Sequence, residues 1–333
     1  MVTIKDLATK LGVSPSTITR ALADNPRISA KTKRLVREAA AEMGYVADSA
    51  AKTMRNKFSP LIGLLIPDIE NSFYARIAKA FSDVCNSHGF QLTLAVSDDN
   101  SAIEERHIHQ LVAARCAGIA IVPTATLSQQ SISLLSARNA AQLIRRNSEI
   151  NTDWYGINDV MALQNATRAL LELGHQRIGF ICGTSELVSG RDRLHGYSTA
   201  LHEAGIELAP ELVMKGPPRA FFGQQSTHRL ANLNNPPTAI IAAGAGLSEG
   251  MLSSVSAWRN ADQQKISLIG YSDCNAFRWW GNTGLTAIDL PIRQIATDLC
   301  TTLIDRARSE GPFLREDYLY DSQLILRGSV HPC

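Results

Sequence analysis

The 333-residue chain has no Cys-x-x-Cys pair, no apolar run of about 18 residues and none of the short motifs that mark a catalytic site. Its six cysteines (Cys85, Cys116, Cys182, Cys274, Cys300 and Cys333) are scattered, which argues against a zinc framework or a disulfide scaffold and reads as reduced thiols. His107 and His109 stand two apart on an expected helix and so point to different sides, not at one metal. The first residues lack the basic, then apolar, then small-residue order of a signal peptide, so the expectation is a cytoplasmic protein with no membrane partner. No phosphate loop, nucleophile elbow or paired His/Glu motif occurs. Gly244-x-Gly246-x-x-x-Gly250 follows a strand-like run, but its spacing is wrong and it lies far from the first strand-helix unit, where a dinucleotide loop belongs. No enzyme, cofactor or metal is expected, and there is no short internal repeat.

What is present is a large apolar fraction and an uneven charge. At 45% hydrophobic residues the chain can fill a large core, and its length suggests two domains or more. The overall net charge is only +2. Residues 1–57, however, hold eleven Lys and Arg against five Asp and Glu, a net of +6, while the rest holds 22 against 26, a net of −4. That asymmetry suits a head that meets a polyanion, against the plainer reading of a solvated basic face.

Residues 3–20 read as two short helices joined by a tight turn containing glycine, the build of a helix-turn-helix. Thr3 can cap the first helix with Asp6 at its third position, and Leu7, Ala8 and Leu11 form one apolar stripe before Gly12. Ser14 can cap the second helix with Pro15 at its first position, where a missing N–H costs nothing. Ile18, Ala21 and Leu22 then face inward, leaving Pro15, Ser16, Thr17 and Arg20 outward. Ser29 can cap a third helix ending near Met43 and Gly44, whose Leu35, Val36, Ala39 and Met43 would close a three-helix head. Residues 46–57 are small and polar around one large apolar residue, Met54, and read as a linker able to form a short helix.

From residue 61 the pattern becomes continuous apolar runs of the kind found in buried parallel strands. Such runs recur at 91–96, 118–122, 142–144, 177–181, 239–242 and 266–269. Helix-like segments at 73–87, 103–114, 128–137, 161–173, 193–204, 222–233 and 247–258 separate most of them. The fold class is therefore α/β: a doubly wound, two-lobed parallel core behind the helical head, with ligands expected at the carboxyl ends of the strands. Residues 154–159 read as one crossing between lobes, 287–291 as a second and 311–312 as a third. The expected boundaries are a head at 1–46, a hinge at 47–58 and a core at 59–333. Within the core, lobe 1 takes 61–157 and 286–310, and lobe 2 takes 158–285 and 313–330.

Thr3-Ile4-Lys5-Asp6-Leu7-Ala8, then Gly12-Val13-Ser14 and Thr17-Ile18-Thr19-Arg20-Ala21-Leu22, followed by Ile28-Ser29, Thr32 and Gly44-Tyr45, resemble the lactose and purine repressor family of bacterial transcription regulators. Gly174-His175-Gln176-Arg177-Ile178, Arg193-Leu194-x-Gly196-Tyr197, Ile269-Gly270-Tyr271 and Leu326-Arg327-Gly328-Ser329 extend the resemblance over nearly the whole chain. It implies a homodimer that binds a near-palindromic operator and a core with the fold of periplasmic binding proteins. Pro15, Ser16 and Arg20 fall where relatives read base edges, and Arg20 has the fork for guanine; Pro15 reads equally as a plain first helical residue. Ser14 and Thr17 would hold phosphates, and Thr3, Ser29, Lys52 and Arg55 complete the expected DNA-facing set. Met54 is the candidate wedge into the minor groove, although Ala47 and Asp48 depart from the family's Pro-Asn start of the hinge helix.

The same resemblance places an effector in the cleft between lobes, touching Asn71, Ser72, Phe73, Thr124, Arg145, Arg191, Arg193, Gly244, Ala245, Ser272 and Asp273. Three positions depart from sugar-binding relatives. Gly244-Ala245 stands for Asn-Asp, Ser272 for Asp, and Arg145-Arg146 for Asp-Arg. Acceptors for sugar hydroxyls are lost and a cation is gained, so the expected effector is an anion such as a sugar acid or sugar phosphate. An outward-turned Arg145 with a neutral ligand is the competing reading. Phe73 fits either ligand stacking or core packing, and Phe221, Phe222, Trp279 and Trp280 read as core or lobe-interface residues. A periplasmic-type solute-binding protein and an enzyme on an α/β body are the rival functions. The final segment, ending at Cys333, lacks the leucine-rich tail that makes some relatives tetramers.

Overall fold

A computed structural model describes residues 2–45, 58–258, 266–309 and 313–333, with side chains at 256–258 excepted. The expected hinge, with Lys52, Met54 and Arg55, and the expected crossing at 311–312 lie outside the described residues. The chain divides into two compact units, Met1–Lys57 and Phe58–Cys333.

The first unit is built on three capped helices: α1 (Ile4–Leu11), α2 (Pro15–Leu22) and α3 (Ala30–Glu42). Thr3 and Asp6 form a reciprocal capping box at the start of α1, and Gly12 ends it with φ 64°, a left-handed position suited to glycine. Ser14 and Ser29 cap α2 and α3 through the N–H groups of Thr17 and Thr32. Leu7, Ala8, Ile18, Ala21, Val36, Ala39 and Ala40 form the core. Leu35 was expected in it and is instead 44% exposed. The buried stripe of α3 runs Val36, Ala39, Ala40 and Met43, and Leu35 lies about 100° off it.

The second unit holds two six-stranded sheets. The first has the order β11-β5-β4-β3-β1-β2, made of β1 (Ser59–Ile66), β2 (Gln91–Val96), β3 (Cys116–Ile121), β4 (Ala140–Leu143), β5 (Asp153–Ile157) and β11 (Asp317–Tyr320), with every neighbouring pair parallel. The second has the order β12-β10-β9-β8-β6-β7, made of β6 (Ile178–Cys182), β7 (Val213–Lys215), β8 (Ala239–Ala242), β9 (Ser267–Tyr271), β10 (Thr286–Asp289) and β12 (Gln323–Ile325), and only β12 runs antiparallel. Helices cover both faces: α4 (Ser72–Ser87), α5 (Ser101–Ala113), α6 (Gln129–Ser136) and α11 (Ile292–Arg308) pack in the first lobe, and α7 (Asp159–Glu172), α8 (Val188–Glu203), α9 (Ala220–Ala231) and α10 (Ala245–Trp258) in the second.

Three expected crossings shift. Residues 154–157 are not a bare crossing but strand β5, and the chain changes lobe at Asn158, just before α7. Residues 286–289 belong to the second sheet, so that crossing is at Leu290-Pro291; residues 317–320 belong to the first sheet, which puts a further crossing at Asp321-Ser322. Strands that end in a crossing look like linkers in sequence because no helix of their own lobe follows them.

Candidate functional site

The outward face of α2 carries Pro15, Ser16 and Arg20, all exposed. Ser14 Oγ accepts from the Thr17 N–H at 3.2 Å and lies 2.8 Å from both Ser16 Oγ and Thr17 Oγ1. Three hydroxyls thus gather at the positive end of a helix, an arrangement that suits a phosphate oxygen. Thr3 is exposed but gives its hydroxyl proton to Asp6 at 2.8 Å. Ser29 is engaged in capping, with Thr32 Oγ1 2.9 Å from its Oγ.

In the second unit, a cavity of about 60 Å³ opens between the lobes where the strands end, room for roughly four to six waters. Pro67 and Asp68 follow β1, Ile144 and Arg145 follow β4, Gly244 and Ala245 follow β8, Ser272 follows β9, and Leu290 follows β10. Asn71, Phe73, Tyr74, Asp99, Arg193, Pro218, Arg219 and Tyr271 complete the wall. Phe73 is both wall and core: it is buried and meets Tyr74 edge-on at 5.0 Å. The lobes touch across this space. Ser72 Oγ donates to Glu249 at 2.9 Å, Arg76 to the Asp273 carbonyl at 2.5 Å, and Arg219 to the Asp98 carbonyl at 3.1 Å.

Of the three expected cavity arginines, Arg145 and Arg193 line the cavity, and both are paired. Arg193 lies 3.0 Å from Asp159 Oδ1, donates to the Ala243 carbonyl and the Tyr271 hydroxyl at 3.0 Å each, and covers the Tyr271 ring at 4.1 Å. Burial works against its charge, and Asp159 together with the Tyr271 oxygen outweighs that, so its pKa rises above the ordinary guanidinium value. Burial pushes the Tyr271 and Tyr74 phenols up, which keeps both neutral. Arg145, 4% exposed, is the cation expected at this strand end, but it grips Asp99 with both nitrogens of its fork, Nη2 to Oδ2 at 3.1 Å and Nη1 to Oδ1. The competing outward-turned Arg145 is absent.

Four expected residues do not line this cavity. Arg191 is exposed and donates to the Ser185 and Glu186 carbonyls, because two residues along α8 turn it about 200° from Arg193. Asp273 uses both carboxylate oxygens on Arg327 at 2.7 Å. Ser72 is spent on Glu249, and Thr124 is buried against Glu104, whose Oε1 accepts its N–H at 2.9 Å and whose Oε2 lies 2.5 Å from its hydroxyl oxygen. Phe221 and Trp279 are 68% and 83% exposed, and only Phe222 and Trp280 pack against the core. Asp99, Asp159, Tyr271, Tyr74 and Arg219 were missed. The rule that ligands meet strand ends, applied to β2, would have found Asp99, while the misread crossing hid Asp159.

Residues 3–48 match the model of bacterial regulatory proteins of the lacI family, and residues 59–302 match the model described as periplasmic binding proteins and sugar binding domain of the LacI family. The chain belongs to the LacI family. This family member is a DNA-binding transcriptional regulator with a ligand-responsive core, not an enzyme. It is 27% identical to the transcriptional repressor CytR of Escherichia coli K12 over 98% of this chain and 96% of that one. It is 26% identical to the repressor PurR of Pasteurella multocida over 99% of each. Among solved structures, a Lac repressor dimer bound to operator and the anti-inducer ONPF superposes with a TM-score of 0.85 at 24% identity, covering 99% of both chains. No helix among the described residues of this LacI-family chain is long and apolar enough to cross a membrane, and no group of three or more His, Cys, Asp or Glu there could hold a metal.

Proposed function

We propose that this chain is a cytoplasmic repressor of genes for sugar-acid or related carbohydrate metabolism, binding a palindromic operator as a homodimer and answering to a small anionic effector in the interlobe cavity. The observation that carries the effector class is the convergence of Arg145, Arg193 and Arg219 on one cavity whose strand-end positions Gly244, Ala245 and Ser272 offer no carboxylate or amide to sugar hydroxyls. Arginine forks match carboxylate and phosphate geometry. On the DNA side, Pro15, Ser16 and Arg20 read base edges, Ser14 and Thr17 hold phosphates, and Thr3 and Ser29 support the backbone contacts at the other helix starts. Met54, Lys52 and Arg55 serve the minor groove. Effector binding alters the closure of the lobes and so the balance between bound and free operator.

The pairing of Arg145 with Asp99 and of Arg193 with Asp159 favours a second reading, a neutral polyol held by the tyrosines and Ser272. Calorimetry with sugar acids and their neutral parents separates the two. Tight binding of an acid that is weakened at least about tenfold by Arg145→Gln supports the anion, and binding of neutral sugars alone refutes it.

A further inference from the structure

Asp99 reaches the cavity on the short loop between β2 and α5, in an unusual conformation. Asp98 and Asp99 are both left-handed, with φ 53° and 57°, and Ile144, the residue before Arg145, has φ 61°. Non-glycine residues in this region carry strain, most of all a β-branched isoleucine, and such positions concentrate where ligands bind. Strain of this kind persists only if contacts hold it. Here Asp99 fills the Arg145 fork from the same lobe, and Arg219 of the opposite lobe holds the Asp98 carbonyl at 3.1 Å. The Asp99 side chain is 31% exposed while that of Arg145 is 5% exposed, so the arginine is fixed and the carboxylate is the partner with room to leave. Beside them Ser272, at φ 67° and 2% exposed, lines the same cavity with a hydroxyl that has no partner among the described residues.

We propose that Asp99 is a built-in surrogate ligand: its carboxylate occupies the arginine fork that the effector's carboxylate or phosphate takes, and effector binding displaces it. The inference rests on the anionic reading above. Displacement frees the loop to relax, takes the Asp98 carbonyl from Arg219, and leaves Arg145 and Arg219 facing one anion from opposite lobes. The Ser272 hydroxyl supplies a further donor to it. Asp99 therefore sets both the selectivity of the cavity, since a neutral molecule does not compete for the fork, and the concentration at which the regulator responds.

The test uses the full chain with inorganic phosphate as probe, titrated calorimetrically. Asp99→Asn should bind phosphate about tenfold or more tightly than the wild type, because an arginine fork made free by the substitution no longer has to be won from a tethered carboxylate. Asp68→Asn removes the same charge from the same wall without freeing the fork, and should change affinity less than about threefold. The gain should vanish in the Asp99→Asn/Arg145→Gln double variant. Thermal unfolding confirms that each variant folds, and Asp99→Ser replaces Asp99→Asn if it does not. A gain no larger than that of Asp68→Asn, or one that survives loss of Arg145, overturns the proposal. If wild type binds a sugar acid through Arg145 but Asp99→Asn gains nothing, the anionic reading stands and the surrogate ligand falls. Binding of neutral sugars alone by wild type overturns both.

Discussion

Replacing Glu104 by Gln should remove a pH dependence of stability that originates beside the effector cavity. Glu104 is 1% exposed, and burial pushes its carboxyl from the ordinary 4.5 up to about 7 against the pull of the Thr124 hydrogen bonds. The geometry suits the neutral acid. Thr124 Oγ1 has one proton but two acceptors in reach, Glu104 Oε2 at 2.5 Å and the Thr126 carbonyl at 2.9 Å. A protonated Oε2 donates to Thr124 Oγ1, which then gives its own proton to Thr126, while Oε1 still accepts the Thr124 N–H at 2.9 Å. Because the folded pKa is raised, the folded state holds a proton between pH 4.5 and 7 that the unfolded chain has lost. Stability is thus full below about 4.5, falls as pH rises to about 7, and is level above it, a loss of at most about 3 kcal/mol. Glutamine reproduces the protonated arrangement at every pH. Urea unfolding of wild type and Glu104→Gln from pH 4.5 to 8.5 should therefore diverge upward through this window, with the variant gaining up to about 3 kcal/mol relative to wild type. A constant difference between the two curves would refute the buried neutral acid.

Gly250→Ala should destabilise the second lobe by about 1–3 kcal/mol or more in chemical denaturation, since a Cβ there would sit 1.9 Å from the Ala220 carbonyl and 2.7 Å from the Gln224 nitrogen, forcing α9 and α10 apart. Arg193→Lys keeps the charge but cannot serve Asp159, Ala243 and Tyr271 together; we expect a loss of about 3–5 kcal/mol if Asp159 is left buried and unpaired, read as a fall in unfolding midpoint. Arg20→Ala should weaken operator binding by about 1–3 kcal/mol and relax preference at one base position, with fluorescence anisotropy against point-mutated operators as the check; a uniform loss across all operators would reassign Arg20 to a phosphate.

The sequence by itself determined the elements whose signals are local. Thr3 with Asp6, Gly12, and Ser14 with Pro15 state where helices begin and end, because a cap acts within four residues. The buried strands were equally legible as apolar runs, since a strand covered on both faces is mostly apolar along its length, and the few polar residues buried in them, such as Gln142 and Ser267, are hydrogen-bonded. Tertiary structure alone decided which lobe a strand joins: Thr286–Asp289 and Asp317–Tyr320 change sheets through crossings a few residues long, and nothing in their composition names the partner strand. It also decided what each charge in the cavity does. Arg145 was visible as a cation at a strand end, but Asp99, 46 positions earlier, neutralises it, and Arg193 is likewise committed to Asp159. Electrostatic function depends on distance in space, and pairing across the core is long-range in sequence, so the residues present could be read from the chain while their partners could not.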